Sequence, residues 1–208
     1  MKKSSEECAV MCWNVWSILN ENKLLNFLQI LEDYGVSIAC VCETWFDSKN
    51  GTFTSNIKMS GFEIHHAYRE NKRGGGTAIL YKPELQIKEG DSSTSQYTSF
   101  EYSYVTLTIQ AKRKLLICCL YRKQEVAFHM FHDELSIFIN NIESKCDILL
   151  VVGDFNVWVD VEENKDARSV TTLLNAHGLH QAIQEPTHRD GHTLDQVYYN
   201  DCQLEINH

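Results

Sequence analysis

The run Ile148–Val152 constrains the fold of this chain more than any other segment. It consists of five consecutive aliphatic residues, followed by Gly153, Asp154, Phe155 and Asn156. A short run that is apolar at every position and rich in β-branched residues is typical of a strand buried on both faces. Side-chain alternation relaxes in the turn after Gly153, so we predict that Asp154 and Asn156 both project into a cleft at the sheet edge. The alternative is that Asp154 caps a turn and Asn156 begins a loop.

Two earlier segments repeat the pattern of an apolar strand that stops at a polar side chain. Residues 8–15 predict a strand that ends around Asn14, and residues 36–42 predict a second strand, followed directly by Glu43. Together with the strand that precedes Asp154, three separate strands deliver an amide or a carboxylate where the apolar run ends. We therefore expect chemistry at the ends of these strands.

The remaining segments alternate strand and helix patterns. Further strands are predicted over residues 61–66, 77–81, 100–109, 114–121 and 192–199, and helices over residues 21–34, 128–142 and 169–176. Residues 46–60 and 91–99 are predicted to be loops. The glycine-rich segment 69–76 suits either a close backbone approach or a hairpin turn. Because strands outnumber helices, the pattern indicates a mixed-sheet α/β protein.

Length and composition favour one domain over residues 1–208. A chain of this length can bury roughly 70% of its unfolded surface, and its 43% hydrophobic and 23% charged residues are ordinary globular values. The formal net charge of −9 is unlike that of a protein that holds nucleic acid by phosphate contacts alone. It is compatible with a nuclease in which a metal supplies the local positive charge.

The eight cysteines mostly lie in or beside apolar strand-like runs, where a free thiol behaves as a small buried hydrophobe. Cys118 and Cys119 would point to opposite faces of a strand, and Cys40 and Cys42 lack the two-residue spacer of a zinc knuckle. We interpret the cysteines as reduced and structural, which indicates an intracellular protein. Neither a signal peptide nor a run of ~20 apolar residues is present, so we expect no membrane partner.

Six segments in order resemble the endonuclease/exonuclease/phosphatase family, and most closely the apurinic-type endonuclease domain of non-LTR (LINE-type) retrotransposon proteins. They are Trp13-Asn14-Val15, Cys42-Glu43-Thr44-Trp45, Arg73-Gly74-Gly75-Gly76-Thr77-Ala78, Leu120-Tyr121-Arg122, Gly153-Asp154-Phe155-Asn156, and Pro186-Thr187-His188 leading to Thr193-Leu194-Asp195. The resemblance implies a DNase I-like fold: a four-layer α/β/β/α sandwich of two mixed β-sheets packed face to face. It places the active site at one end, where the strand termini converge.

The resemblance also implies a metal-dependent phosphodiester hydrolysis. Mg²⁺ prefers hard oxygen ligands and usually takes one or two carboxylates together with substrate phosphate and water. In the implied site Glu43 is the main metal ligand and Asn14 assists it, with Mn²⁺ as an alternative to Mg²⁺. The alternatives are that Asn14 is a turn residue and that Glu43 is a helix-capping or surface acid.

Five further residues have roles that the resemblance implies. Asp154 would position or deprotonate the attacking water, and Asn156 would donate to the scissile phosphate. Tyr121 would bind the phosphate or stabilise the leaving oxygen, although a half-buried aromatic is its alternative. Asp195 would orient the remaining groups, with Thr193 close to the phosphate.

Two arginines complete the expected substrate contacts. Arg73 lies in a basic segment that could bind the DNA backbone or form a solvated turn, and Arg122 follows Tyr121 at the end of a predicted strand. His188 and His192 could form a metal pair, but the resemblance assigns them to a loop before the Asp195 strand.

The sequence departs from the family pattern at its C-terminal end. Family members carry an Asp-His pair on a further strand after the acid that corresponds to Asp195, whereas no Asp-His dipeptide occurs here. We expect that the domain is C-terminally truncated and lacks its last strand; the alternative is that Asn207-His208 replaces the pair. The catalytic histidine role is not assigned to His208. Trp158 stands where many retrotransposon relatives carry His, and we expect it to affect packing.

The leading hypothesis is a Mg²⁺-dependent endonuclease domain that nicks duplex DNA for retrotransposon insertion. A reverse transcriptase region is expected downstream in the parent protein, and a nuclear location is expected when the domain acts on target DNA. Two alternatives remain: another phosphodiesterase or phosphatase of the same superfamily, or a catalytically dead remnant that only binds nucleic acid.

Overall fold

The chain forms two β-sheets packed face to face, with α-helices on both outer faces. A computed structural model describes residues 8–49, 51–70, 72–161, 163–183, 185–187 and 191–201. Each sheet contains both parallel and antiparallel strand pairs. The predicted four-layer α/β/β/α sandwich is therefore confirmed.

The first sheet has four strands, in the spatial order β1 (Val10–Asn14), β2 (Ile38–Cys42), β4 (Thr77–Tyr81) and β3 (Glu63–Ala67). Only β1 and β2 run parallel among these pairs. Helices α1 (Glu21–Asp33) and α2 (Gly51–Met59) cover its outer face. Asn20 caps α1, because its Oδ1 accepts a hydrogen bond from Lys23 N at 3.1 Å.

The second sheet has six strands, in the spatial order β5 (Lys88–Ser93), β6 (Phe100–Thr108), β7 (Lys114–Arg122), β8 (Ile148–Asp154), β10 (Asp195–Tyr199) and β9 (His180–Gln181). Strands β7 and β8 are parallel and the other pairs are antiparallel. Helices α3 (Phe128–Glu143) and α4 (Lys165–Ala176) cover the outer face. Helix α4 begins earlier than predicted, because Asn164 caps it by accepting from Asp166 N and Ala167 N.

Strand β8 is buried on both faces, as its uniform apolar sequence predicts. Leu149 and Val151 pack beneath the helices, while Ile148, Leu150 and Val152 face the first sheet. Cys118 and Cys119 divide between the same two layers, and every cysteine in the described ranges is a free thiol. The eighth, Cys202, lies outside those ranges.

Two loop predictions are wrong. Residues 46–60 contain α2, whose Thr and Ser residues form helices weakly but whose Ile57 is fully buried against the first sheet. Residues 91–99 contain the end of β5, a polar edge strand that forms by pairing with β6 across a bulge. The two-residue strand β9 was not predicted either.

Two further expectations concern membrane-spanning helices and the last strand of the fold. No helix in the described part of the chain has the length and apolarity required to cross a bilayer. The predicted absence of a last strand concerns residues 202–208, which lie outside the described ranges, and it stays a prediction.

Candidate active site

Four polar side chains extend the core between the two sheets at one end of the sandwich. In a strand, residues two positions apart point to the same face. The residues two positions from these four side chains pack into or against the core between the sheets; they are Cys12, Cys119, Val152 and Val197. The four polar residues are Asn14 at the end of β1, Tyr121 in β7, Asp154 at the end of β8 and Asp195 at the start of β10. In the register of the second sheet, Asp154 lies opposite both Tyr121 and Asp195.

Asn14 joins the carboxylates of the two sheets. Its Nδ2 donates to Glu43 Oε1 at 3.0 Å and to Asp154 Oδ2 at 2.7 Å, so one amide group orients both acids. Its Oδ1 accepts from Trp16 N at 3.0 Å. The strand ends that deliver Asn14, Glu43 and Asp154 therefore converge, as the sequence predicts.

The two aspartates of this cluster are held in an environment that disfavours their charge. Burial, followed by the negative charge of Asp195, raises the pKa of Asp154 to about 7. Burial raises the pKa of Asp195 to about 6. Asp195 Oδ1 is buried without a hydrogen-bond partner among the described residues. The hydrogen-bond donors of the cluster thus leave at least one carboxylate oxygen, Asp195 Oδ1, without a partner among the described residues. They also do not balance the negative charge of the acids.

Tyr121 presents a neutral phenol to the same cluster. Burial, and then the negative charges of Glu43 and Asp154, raise the pKa of Tyr121 well above its ordinary value. The hydroxyl group therefore remains protonated at neutral pH and can donate a hydrogen bond.

The glycine-rich segment positions the loop that carries Glu43. Gly75 O accepts from Trp45 N at 2.9 Å, and Gly76 O accepts from Thr44 N at 3.4 Å. A Cβ atom on Gly76 would lie 2.8 Å from Thr44 Oγ1, so the contact requires glycine. Of the two alternatives for this segment, the close backbone approach occurs at Gly76, and the segment also connects the antiparallel strands β3 and β4.

A buried carboxylate beneath this segment was not singled out from the sequence. Glu101 in β6 is fully buried and accepts from Gly76 N and from Arg69 Nε, and Lys123 Nζ lies 3.9 Å from its Oε1. Burial raises the pKa of Glu101, although Gly76 N–H and the Arg69 charge oppose that shift. The sequence signal that could have identified Glu101 is its position as a single acid between two aromatic residues, Phe100 and Tyr102.

The Asn156 side chain bonds to the end of β7 and the loop after it, and its predicted contact with the scissile phosphate stays a prediction. Its Nδ2 donates to Arg122 O at 2.7 Å and its Oδ1 accepts from Gln124 Nε2 at 2.5 Å. Its backbone N–H donates to Asp154 Oδ1 at 2.8 Å. Asn156 adopts a φ of +50°, which turns its side chain toward the loop after β7. Its role in this arrangement is to hold that loop and to orient Asp154.

Arg122 and Thr193 are also placed differently from the expected substrate contacts. The Arg122 guanidinium is buried against the ring of Phe131 and donates to Asn156 O at 3.0 Å and to Val126 O at 3.3 Å. Strand alternation explains this, because Arg122 must face away from Tyr121, toward α3. Thr193 is fully buried and its hydroxyl donates to Glu185 O at 2.8 Å. Both residues support the backbone, which corrects the prediction.

Arg73 remains beside the cluster and exposed. Its guanidinium carbon lies 4.9 Å from the centre of the Trp45 ring, and Trp45 Nε1 donates to Glu43 Oε2 at 3.2 Å. The indole therefore links an exposed cation to a carboxylate of the cluster.

The histidines near Asp195 show no metal pair in the part of the chain that the structure describes. His188 lies outside it, and His192 Nδ1 is 2.9 Å from Asp160 Oδ2. The His192 ring stacks on Trp158 with 4.2 Å between ring centres, and Trp158 is half-exposed. Among the described residues no three His, Cys, Asp or Glu side chains are arranged to hold a metal. A cation would depend on fewer carboxylates, together with amide and substrate oxygens.

Comparison with known proteins gives one family match and many structural ones. The model of the endonuclease/exonuclease/phosphatase family matches residues 11–207. No curated protein sequence matches the chain significantly. Among solved structures, the human Nocturnin catalytic domain is 19% identical, with 93% of this chain and 81% of that chain covered and a TM-score of 0.68.

Two nucleases resemble the chain to a similar degree. An AP endonuclease from Archaeoglobus fulgidus is 16% identical, with 93% of this chain and 87% of that chain covered and a TM-score of 0.65. The endonuclease domain of TRAS1, a telomere-specific non-LTR retrotransposon, is 14% identical, with 92% of this chain and 84% of that chain covered and a TM-score of 0.64. At this level of identity the likeness concerns the fold.

Proposed function

Because this chain belongs to the endonuclease/exonuclease/phosphatase family, we propose that it is a Mg²⁺-dependent DNA endonuclease that hydrolyses phosphodiester bonds. The observation that carries the proposal is the hydrogen-bonded group formed by Asn14, Glu43 and Asp154 at the converging strand ends. As its biological role we propose the nicking of duplex target DNA for a non-LTR retrotransposon. That role agrees with the fold shared with the TRAS1 endonuclease domain and assumes a reverse transcriptase region downstream in the parent protein.

The chemistry of the cluster fits a hard divalent cation. The Asn14 amide holds two carboxylates, those of Glu43 and Asp154. Asp195 lies opposite Asp154 in the register, and its buried Oδ1 has no hydrogen-bond partner among the described residues. Glu43 and the Oδ1 atom of Asn14 would hold Mg²⁺, or Mn²⁺ as the alternative, with substrate phosphate and water completing the coordination. When bound, the cation would neutralise charge on the phosphate and act as a Lewis acid.

Asp154 is the residue that would accept a proton from the attacking water. A general base works best when its pKa lies near the operating pH, and burial raises the pKa of Asp154 to about 7. Asn14 Nδ2 and Asn156 N–H each donate to one of its oxygens, which fixes the orientation of the carboxylate. The second lone pair of either oxygen remains available for the water.

Tyr121 and Arg73 would act on the phosphate. The neutral phenol of Tyr121 can donate to a phosphate oxygen or to the leaving oxygen as negative charge develops there. The exposed Arg73 guanidinium lies 4.9 Å from the centre of the Trp45 ring, beside Glu43, and it would bind a phosphate of the DNA backbone.

The test is nicking of supercoiled plasmid with Mg²⁺ by the parent chain, by Glu43→Ala and Asp154→Ala, and by the exposed control Glu84→Ala. Relaxed circles should form with the parent and the control and be lost in the other two variants. A folded parent that fails to nick DNA contradicts the endonuclease. If it instead hydrolyses p-nitrophenyl phosphate with the same dependence on Glu43, the chain is a phosphatase of the same family.

A further inference from the structure

A cleft of about 680 Å³ opens beside the Glu43 loop. Its walls come from the loop after β1 and from the loop after β2, which are joined by the hydrogen bond from Ser17 N to Glu43 O at 2.7 Å. Trp45 lines the cleft, and its Nε1 donates to Glu43 Oε2. The cleft is therefore continuous with the carboxylate cluster through direct contacts.

The charge of the cleft is opposite to that of the whole chain. Four basic residues line it, whereas Asp47 is the acid among the described lining residues. The basic residues are Lys23, Lys49, Lys72 and Arg73. In a protein with a formal net charge of −9, such a concentration of cations attracts an anion to this one surface.

Trp16 exposes an aromatic face in the same cleft. Its side chain is 68% exposed, although an indole of that size gains most by being buried. Its backbone adopts a φ of +41°, a left-handed conformation that a bulky residue rarely adopts. Two hydrogen bonds hold it there, from Trp16 N to Asn14 Oδ1 at 3.0 Å and from Lys23 Nζ to Trp16 O at 2.9 Å.

The backbone on both sides of the cleft has the same unusual conformation. Ser17, Glu43 and Trp45 also have positive φ values, of 75°, 56° and 61°. Strained residues that the surrounding structure holds in place are concentrated at functional sites. An exposed indole on strained backbone, in a cleft that basic residues also line, matches the chemistry of nucleotide binding, in which bases stack on aromatic rings and cations bind the phosphates.

We propose that this cleft binds unpaired nucleotides of the DNA substrate, with a base stacked on Trp16 and the neighbouring phosphates bound by Lys23 and Arg73. The inference rests on the proposed function and specifies its substrate: a target duplex in which nucleotides beside the scissile bond are unpaired. In an intact duplex both faces of each base are covered by its neighbours, so only an unpaired base can offer a face to the indole.

The test measures binding with EDTA present, so that the result does not depend on cleavage. Fluorescence anisotropy follows a labelled oligothymidine of about 12 nucleotides and a blunt duplex of equal length. The variants are Trp16→Asn, which tolerates the left-handed backbone but removes the ring, and Trp16→Tyr, which keeps an aromatic face. Tyr34→Asn is the matched control, because Tyr34 is an equally exposed aromatic at the other end of α1.

The parent should bind the oligothymidine more tightly than the duplex. Trp16→Asn should weaken oligothymidine binding roughly ten-fold or more, while Trp16→Tyr and Tyr34→Asn should stay within about three-fold of the parent. Equal affinity of the parent for the two probes, or unchanged binding by Trp16→Asn, overturns the inference.

Binding and plasmid nicking separate the two proposals. A parent that binds oligothymidine through Trp16 but does not nick plasmid supports the cleft and contradicts the endonuclease. A parent that nicks plasmid but binds oligothymidine independently of Trp16 supports the endonuclease and contradicts the proposed role of the cleft.

Discussion

Asn14 Nδ2 lies 2.7 Å from Asp154 Oδ2, a contact that joins the first sheet to the second across 140 residues of sequence. The same nitrogen lies 3.0 Å from Glu43 Oε1. One amide group thus donates to two carboxylates and fixes their orientation.

Replacing Asn14 by aspartate should destabilise the protein and abolish nicking. The change removes two hydrogen bonds and places a further negative charge against Asp154, so we expect a loss of about 2–4 kcal/mol in the free energy of unfolding near pH 8. Urea unfolding measures the loss, and the loss should shrink at pH 5. An Asn14→Asp variant as stable as the parent at both pH values contradicts the role assigned to the amide.

Asp154→Asn should stabilise the protein at alkaline pH while abolishing nicking. The folded state keeps the Asp154 proton up to about pH 7, whereas the unfolded chain releases it near its ordinary pKa of 3.8. The contribution of Asp154 to the free energy of unfolding therefore falls as the pH rises from 3.8 to about 7, and it is constant above pH 7. The advantage of the asparagine variant should grow by roughly 1–3 kcal/mol between pH 5 and pH 8. Thermal melts in EDTA check this, and an advantage independent of pH would show that Asp154 titrates normally.

Glu101→Gln should affect activity through the Glu43 loop. The variant leaves Arg69 and Lys123 without their buried partner and weakens the bond from Gly76 N, which supports that loop. Loss of one partner of a buried ion pair costs about 3–5 kcal/mol. Denaturant unfolding should show a loss in this range, and nicking should fall in parallel. The exposed control Glu84→Gln should change neither property.

Gly153→Ala should prevent stable folding. A Cβ atom there would lie 1.9 Å from Leu120 O, and the φ of +143° is one that an L-residue rarely adopts. Gly51→Ala is the matched control, since Gly51 is the first residue of α2 and a Cβ there meets no atom within 4 Å. It should change the free energy of unfolding by no more than about 0.5 kcal/mol. Circular dichroism and thermal melts of both variants decide this. Normal folding of Gly153→Ala would contradict the packing of β8 against β7.

The two arginines expected to bind substrate should behave differently. Arg122→Ala should lower the free energy of unfolding by about 2–4 kcal/mol, because it removes buried hydrogen bonds to two carbonyl groups. Arg73→Ala should alter stability by no more than about 0.5 kcal/mol but raise the KM for plasmid. Equilibrium unfolding and nicking kinetics distinguish the two. A stable Arg122→Ala variant with a raised KM would restore the original assignment.

Several features of the site could be predicted from local sequence alone. The apolar runs that stop at Asn14, at Glu43 and at Asp154 identified three members of one cluster, because strand ends at one edge of a sandwich converge. The alternation that places Leu149 and Leu150 in different layers also follows from the sequence. The same parity rule, applied to Tyr121 and Arg122, would have placed the arginine under α3 rather than at the site.

Other features depend on contacts between distant segments. Helix α2 and strand β5 have weak local signals, and each forms because a neighbouring surface packs against it or pairs with it. The direction of the Asn156 side chain depends on Arg122 O and Gln124, more than thirty residues earlier in the chain. Local propensity contains no information about such partners.

The sequence by itself determined which strands are buried and which polar groups stand at their ends, because side-chain alternation and the length of an apolar run are local properties. Only the tertiary structure decided which of those groups meet. Asn14 reaches Asp154 because the two sheets pack face to face, and Glu101 is buried because β6 lies under the glycine-rich segment. Hydrogen bonds and burial of this kind join residues far apart in sequence, so their geometry exists only once the sheets have packed.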